Sequence, residues 1–490
     1  MKLIWTIGGS DPSGAAGCQR DLITATDHRV HACSVLTAAT AQNFTNWSCP
    51  NVLDHRVIDS QLASLVSSSM PEPQAIKIGM LGSPHIVTVV ANYVSKMKCF
   101  VILDPLVKST SGGSLSNNDT IQAIIKYLLP RIDLLTPNFD EAVQLTGLTA
   151  NRLEQLPALA DALLKLGARR VLIKGGHLNS SLCHDYYADR TTSYWLTTER
   201  HPTSARGTGC ALATAIAVNI AKGLELDDAL VAARSYVSSK IRLATSTETG
   251  AMLLGLGDQN IETDDFPSRT SNLPSQTNKI CFPSCGSEPL GFYPVVDRFS
   301  WVKRLTDLGA KTMQIRIKDL VEQELIKELK QSIAYCRKSD VRLFINDHWK
   351  LAIELDAYGV HLGQEDLVTA DLEAISRSKL RLGLSTHSLS EAAVAKGLNP
   401  SYVALGPIFP TTCKSLRFGP HGLAKIKTWR QMFSQPLVAI GGLKAEHAAE
   451  AMRFGASGVA VISDVTKNIN PEERALKWLE TCGQSTRVQI

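Results

Sequence analysis

Eight short apolar runs recur between residues 289 and 483, and nearly every one ends in polar residues: FYPVVD, TMQIRIK, RLFIND, YGVHLG, RLGLSTH, YVALGPI, PLVAIGG and GVAVIS. They follow one another at about 20 to 30 residues, each trailed by a helix-like stretch, which matches a barrel of eight βα units in count and size. The spacing therefore predicts a TIM (β/α)8 barrel over residues 289–490. Its polar trailing ends would gather at the face where barrel active sites are built.

Strand-like runs also occur upstream, in AIKIGM, CFVILDP, IDLLTPN and RVLIKGG, separated by amphipathic segments such as LPALADALLKLGA. Their spacing is irregular and the chain opens on glycines, so the expected architecture over residues 1–257 is an open, mostly parallel sheet with helices on both faces. Residues 258–288 are rich in Pro, Ser, Thr, Asn and Asp without helical or strand periodicity, and read as a linker. A chain of 490 residues is long for one core, which agrees with two domains.

Composition narrows the partners. At 44% hydrophobic and 20% charged residues, with a formal charge of +5, the chain reads as an ordinary soluble protein. The mild positive charge suits anionic small molecules; no basic stripe with interleaved aromatics points to nucleic acid. Eleven cysteines are scattered rather than framed, as in a reducing cytoplasm. Cys281 and Cys285 resemble half a metal site, but no second Cys/His pair lies nearby. The N-terminus lacks a secretory pattern, and no run reaches the ~18 apolar residues of a membrane span. The best candidate, Ala211 to Leu224, is broken by Asn219 and Lys222. A cytoplasmic, membrane-free protein is expected, with self-association into a homo-oligomer left open.

Four motifs in the first half carry chemistry. GGSDPSGAAG, from Gly8 to Gly17, follows an apolar strand and can bring backbone N–H groups to a ligand, although it lacks the lysine and Ser/Thr that end a P-loop. TPNFDEA supplies Asn138 and Glu141, which could order Mg2+ waters or simply cap a helix. KGGH places Lys174 at a strand end, and RGTGC sets Gly207, Thr208, Gly209 and Cys210 in a phosphate-holding turn that opens a helix. Each alone also reads as an ordinary turn or cap.

Together and in this order they resemble the ribokinase-like superfamily, and within it the hydroxymethylpyrimidine and hydroxymethylpyrimidine-phosphate kinases of thiamine biosynthesis. The resemblance covers residues 1–257 and includes Asp21, TAQN (Thr40 to Asn43) and KIGML (Lys77 to Leu81). It implies that Gln42 reads the pyrimidine, whose adjacent donor and acceptor a carboxamide can match. Asp21 and the backbone near Met80 and Val107 would complete that pocket. Lys174 would stabilise the transferred phosphoryl group of ATP, with Asn138 and Glu141 holding Mg2+ and Gly207, Thr208 and Gly209 the phosphates.

In sugar kinases of this fold an aspartate base stands where Cys210 does. A helix N-terminus lowers a thiol's pKa, so Cys210 is expected to act as the base; the alternative is a residue that only packs against substrate. Arg206 departs from the histidine of the family's HGTGC, and GAAGCQRD replaces GGAGIQAD. One rival reading has this half act mainly on pyridoxal or another vitamin alcohol. Another makes one half of the chain a non-catalytic binding module.

The second half resembles thiamine phosphate synthase over residues 289–483. In QIRIK, alternation would project Gln314, Arg316 and Lys318 to one face of a strand, suiting a pyrimidine pyrophosphate. The resemblance adds Ile315, Ile317, Asn346, Ser385 and Lys414 to that site, and makes Asp347 and Asp366 a Mg2+ pair. Thr411, Thr412, Cys413, Gly441, Gly442, Ile462 and Ser463 would take the thiazole phosphate. The implied reaction is diphosphate loss assisted by Arg316, Lys318, Lys414 and Mg2+, followed by capture of the pyrimidine-methyl cation by the thiazole nitrogen. Cys413 stands where the family has threonine, and its weaker hydrogen bonding is expected to raise the requirement for thiazole phosphate. The two halves would then act in succession, the kinase product feeding the barrel.

Overall fold

In the computed structural model, residues 1–44, 46, 50–67, 69–106, 117–176, 180–203, 205–257, 261–274, 280–411 and 418–484 are described. The chain divides into two units, Met1–Pro274 and Ser275–Ile490.

The strands of the first unit are, in chain order, β1 (Leu3–Ser10), β2 (His31–Ala39), β3 (Asn51–Val52), β4 (Ala75–Ile78), β5 (Phe100–Leu103), β6 (Leu134–Leu135), β7 (Val171–Ile173), β8 (Leu182–Ala188), β9 (Ser193–Glu199), β10 (Thr245–Ser246), β11 (Met252–Leu253) and β12 (Ser268–Thr270). Strands β1 and β4 are apolar and buried almost throughout, as befits central strands of a parallel sheet. The parallel core runs β2-β1-β4-β5-β6-β7, with β3 antiparallel at one edge and β8, β9 and β12 antiparallel at the other. This is the open, mostly parallel sheet expected.

Most of the apolar run Ala211 to Leu224 lies in the helix Thr208–Ala221, in which 11 of 14 residues are buried. A helix apolar on all sides belongs in a core, and Asn219 turns its amide onto the Ala215 carbonyl at 2.8 Å. No helix among the described residues is long and apolar enough to cross a membrane.

The stretch read as a linker is structured in two places. Residues Ser268–Thr270 form β12 against β9, and the short turn Thr263–Asp265 ahead of it seats a fully buried Asp265. Further on, Cys285 is buried among the barrel's apolar side chains, and Arg342 donates to the carbonyls of Cys285, Glu288 and Pro289. Both pieces are too short to show a period, and tertiary contacts hold them.

The second unit is the predicted barrel. Its strands β13 (Gly291–Val296), β14 (Thr312–Ile315), β15 (Arg342–Asn346), β16 (Gly359–Leu362), β17 (Arg381–Thr386), β18 (Tyr402–Leu405), β19 (Leu437–Ile440) and β20 (Gly458–Val461) pair in sequence, all parallel, and β20 returns to β13. Tyr293, Phe344, Tyr402 and Val438 fill its interior.

Candidate functional site

In the first unit the parallel strands deliver Asp11, Met80, Asp104, Asn138 and Lys174 from just beyond the ends of β1, β4, β5, β6 and β7. Strand ends of an open sheet are where such folds bind ligands. A cavity of about 650 Å3 opens there, lined among others by Gln42, Met80, Asn138, Glu141, Lys174, Arg206 and the turn Gly207–Cys210.

Gly207 is locked into this role by geometry. Its φ is +78°, and a Cβ would lie 1.9 Å from the Ala15 carbonyl oxygen. The two glycine-rich loops are thus pressed together, and the Thr208–Ala221 helix presents its free N–H groups to the cavity. Asp11 organises the first loop by accepting from the Ser13 and Ala16 amides, both at 2.9 Å.

Lys174 donates to Asp104 Oδ1 at 2.6 Å. Burial alone would lower its pKa, but Asp104 and then Glu141 hold it above the ordinary lysine value. Asp104 is fully buried, and its Oδ2 has no hydrogen-bond partner among the described residues. It was missed in the sequence, although the signal was present: an acid ends the apolar run CFVILDP. Asn138 and Glu141 form a reciprocal capping box at 2.8 and 2.7 Å. The helix-cap reading is therefore realised, and the box fixes Glu141 at the cavity wall.

Two expectations change. Asp21 does not line the cavity. It is fully buried and is taken up by Lys77 at 2.8 Å, by Thr214 at 2.8 Å and by Thr6. Lys77, not Asp21, reaches the cavity wall, because a buried ammonium needs a buried counter-charge behind it. The Cys210 thiol is not lowered by the helix end. Burial pushes it up to about 11, with Asp21 and Asp104 adding to the rise and Lys77 opposing it. Val107 lies outside the described residues.

In the barrel, β14 stops at Ile315, so Arg316 and Lys318 leave from the loop beyond it rather than from one strand face. The last rung of its ladder with β13 is the Arg316 amide donating to the Val296 carbonyl at 2.7 Å. Gln314, Asn346 and Ile317 are buried. Lys318 pairs with Asp347, whose backbone is left-handed at φ +61°. Burial works against the Asp347 charge, yet the Lys318 contact keeps its carboxyl below the ordinary value. Asp366 goes the other way, raised by burial and by the neighbouring Asp347 carboxylate. Two carboxylates close enough to oppose each other, one of them bonded to a lysine, fit a hard divalent cation.

Ser385 Oγ meets His361 Nε2 at 2.9 Å, and His361 Nδ1 meets the Tyr402 hydroxyl at 2.7 Å. Tyr402 continues to Tyr293 at 2.8 Å. Burial lowers the His361 pKa to about 4, so the ring is neutral and can orient Ser385. Gly441 and Gly442 have φ of +98° and +65°, and a Cβ on Gly442 would lie 2.5 Å from the Pro410 carbonyl oxygen. Ile462 and Ser463 follow β20; Thr411 is described, whereas Thr412, Cys413 and Lys414 lie outside the described residues.

An open sheet with a glycine turn and a cavity-lining lysine, carried on one chain with a parallel barrel bearing paired carboxylates, defines a two-site transferase, half kinase and half TIM-barrel enzyme. The phosphomethylpyrimidine kinase family model matches residues 11–254, and that of thiamine monophosphate synthase matches residues 292–465. The chloroplastic bifunctional thiamine biosynthetic enzyme of Arabidopsis thaliana is 31% identical over 503 aligned residues, covering 99% of this chain and 94% of that one. Thiamine-phosphate synthase of Photorhabdus laumondii is 51% identical over 181 residues, 36% of this chain and 83% of that one. Among solved structures, pyridoxal kinase from Staphylococcus aureus in complex with pyridoxal superposes with a TM-score of 0.51 at 31% identity, covering 56% of this chain and 99% of that one. The chain belongs to the family of bifunctional thiamine biosynthetic enzymes, with a phosphomethylpyrimidine kinase half and a thiamine-phosphate synthase half.

Proposed function

We propose that the first unit phosphorylates 4-amino-5-hydroxymethyl-2-methylpyrimidine and then its phosphate, with ATP as donor, and that the barrel joins the resulting pyrophosphate to thiazole phosphate. The observation that carries the kinase reading is the convergence of Lys174, held from behind by Asp104, and the Gly207–Cys210 turn on one cavity that also holds Gln42. Gln42 reads the aminopyrimidine edge, while the N–H groups of Thr208 and Gly209 hold the phosphates. Lys174 neutralises charge on the phosphoryl group in flight. Glu141 and Asn138, both at the cavity wall, would hold Mg2+ with its waters, and the ion would supply charge neutralisation at the phosphates. Cys210, a neutral thiol, shapes the floor beneath the hydroxymethyl group. Phosphoryl transfer through a loose transition state makes little demand on an early base.

In the barrel, Gln314, Asn346 and Ser385 hold the pyrimidine, and the backbone at Ile315 and Ile317 borders it. Arg316, Lys318 and Lys414 draw off the diphosphate. Asp347 and Asp366 would hold Mg2+, which supplies further charge neutralisation at the leaving group. Thr411, Thr412, Cys413, Gly441, Gly442, Ile462 and Ser463 seat the thiazole phosphate.

A coupled assay tests the whole reading. With the free pyrimidine alcohol, ATP, Mg2+ and thiazole phosphate, thiamine phosphate should form, and omission of thiazole phosphate should leave the pyrimidine pyrophosphate to accumulate. Product from the monophosphate but not from the alcohol would overturn the first phosphorylation. Faster turnover of pyridoxal than of the pyrimidine would overturn the substrate assignment.

A further inference from the structure

Arg206, the residue that breaks the family pattern, lies between the two halves of the kinase site. Its amide leans on the Met252 carbonyl at 3.4 Å, which ties the phosphate turn to β11. Its guanidinium reaches the other way. Nη1 donates to the carbonyls of Asn43 at 2.7 Å and Phe44 at 3.3 Å, and Nη2 donates to Gln42 Oε1 at 3.3 Å. Arg206 Nε is buried without a hydrogen-bond partner among the described residues. Both Arg206 and Gln42 line the cavity.

These contacts constrain Gln42 in a way its own position does not. A guanidinium carries only donors, so the carboxamide atom turned toward it has to be the oxygen. The Nε2–H2 group is then directed away from Arg206, and one lone pair of Oε1 stays available. That is the polarity an aminopyrimidine edge requires: a donor facing the ring nitrogen, an acceptor facing the exocyclic amine. A pyridoxal edge, with a phenolic oxygen in place of the amine, is served better by an amide free to turn.

The geometry points to Arg206 as the specificity-determining positioning residue of the kinase half: by fixing the amide orientation of Gln42, it selects an aminopyrimidine over a pyridine alcohol. The inference rests on the reading of Gln42 as the pyrimidine contact. Arg206 acts through Gln42 and the 42–44 backbone. Its two terminal nitrogens serve three acceptors at once from fixed positions in one plane, a spread that the single nitrogen of lysine and the ring of histidine do not offer.

The test is a double-mutant cycle in the full-length chain, with KM measured for the pyrimidine alcohol, for pyridoxal and for ATP. Arg206→Ala is expected to raise the KM for the pyrimidine alcohol about tenfold, to change the KM for ATP much less, and to narrow the preference over pyridoxal. In a Gln42→Ala background the same substitution should add little, because the two residues act as one unit. Additive effects, or a rise confined to the KM for ATP, would overturn the inference and leave the Gln42 reading standing. No effect of Gln42→Ala on the pyrimidine KM would remove the Gln42 reading, and this inference with it. Synthase turnover on supplied pyrimidine pyrophosphate and the melting profile of each variant separate selectivity from misfolding: an equal loss for all three substrates with a lowered melting point also overturns it.

Discussion

At Cys210 two effects compete, and burial wins. A helix N-terminus stabilises a thiolate by a modest amount near the first turn, whereas full burial beside Asp21 and Asp104 raises the thiol to about 11. Between pH 7 and 9 the thiol stays protonated, so the kinase rate should show no titration attributable to it, and Cys210→Ser should lower turnover less than tenfold. A rate that climbs tenfold per pH unit across that range, and loses the slope in Cys210→Ser, would restore the thiolate base. Asp21 gives a sharper outcome. It balances Lys77 where both are essentially without solvent contact. Asp21→Asn leaves an ammonium buried and uncompensated, and removing one partner of such a pair costs about 3 to 5 kcal/mol. Denaturant unfolding of the full chain should show that loss in the kinase transition, with the synthase transition unmoved.

At the scale of elements, β12 shows how a segment with no periodicity can still belong to the fold. Its three residues pair with β9, and the turn before them carries Asp265 into the unit. Asp265 Oδ2 accepts from Arg242 Nη2 at 2.8 Å, and Oδ1 lies 3.3 Å from His201 Nε2, a ring at the cavity wall. Asp265→Ala should therefore destabilise the kinase unit by about 3 kcal/mol. It should also raise the KM for ATP or pyrimidine by loosening His201, while barrel turnover on supplied pyrophosphate stays unchanged. Unaltered melting of the kinase transition would show that β12 is held without this contact.

The same elements show what could be read beforehand. The eight barrel strands were legible because each is an apolar run with a fixed period and a polar end. The sheet of the first unit was legible from AIKIGM and CFVILDP for the same reason. The pairing of Lys174 with Asp104 and of Lys77 with Asp21 was not, because each joins residues 56 or more positions apart. Nor was the end of β14 at Ile315, since the alternation of QIRIK runs on past the last residue that pairs with β13. Local pattern gives elements; long-range polar partners appear only once the sheet is assembled.

At the scale of the whole molecule, buried titratable groups set the pH range in which both units hold. His28 in the first unit and His361 in the second are each lowered by burial to about 4. Below the ordinary histidine value of about 6.5 the unfolded chain binds protons that the folded units refuse until about pH 4, so stability is lost as pH falls through that interval. The thiols act on the alkaline side. Burial raises Cys18 and Cys99 to about 12 in the first unit, and Cys336 and Cys482 to about 12 in the second. Cys285 rises to about 11, as Cys210 does. Unfolded thiols ionise near 9 while the folded ones stay neutral, so the unfolded state gains from about pH 9 upward. Calorimetry of the full chain should therefore give melting temperatures that are level between about pH 6.5 and 9 and fall on both sides. Each unit carries three of these raised thiols, so the alkaline decline should appear in both transitions. Replacing His28 by Phe removes the first unit's proton-accepting ring while keeping an aromatic against Tyr236, its present edge-on neighbour at 4.5 Å. The acid limb of the kinase transition should then move to lower pH with the synthase transition in place; an acid limb that does not move would assign the loss to carboxylates instead.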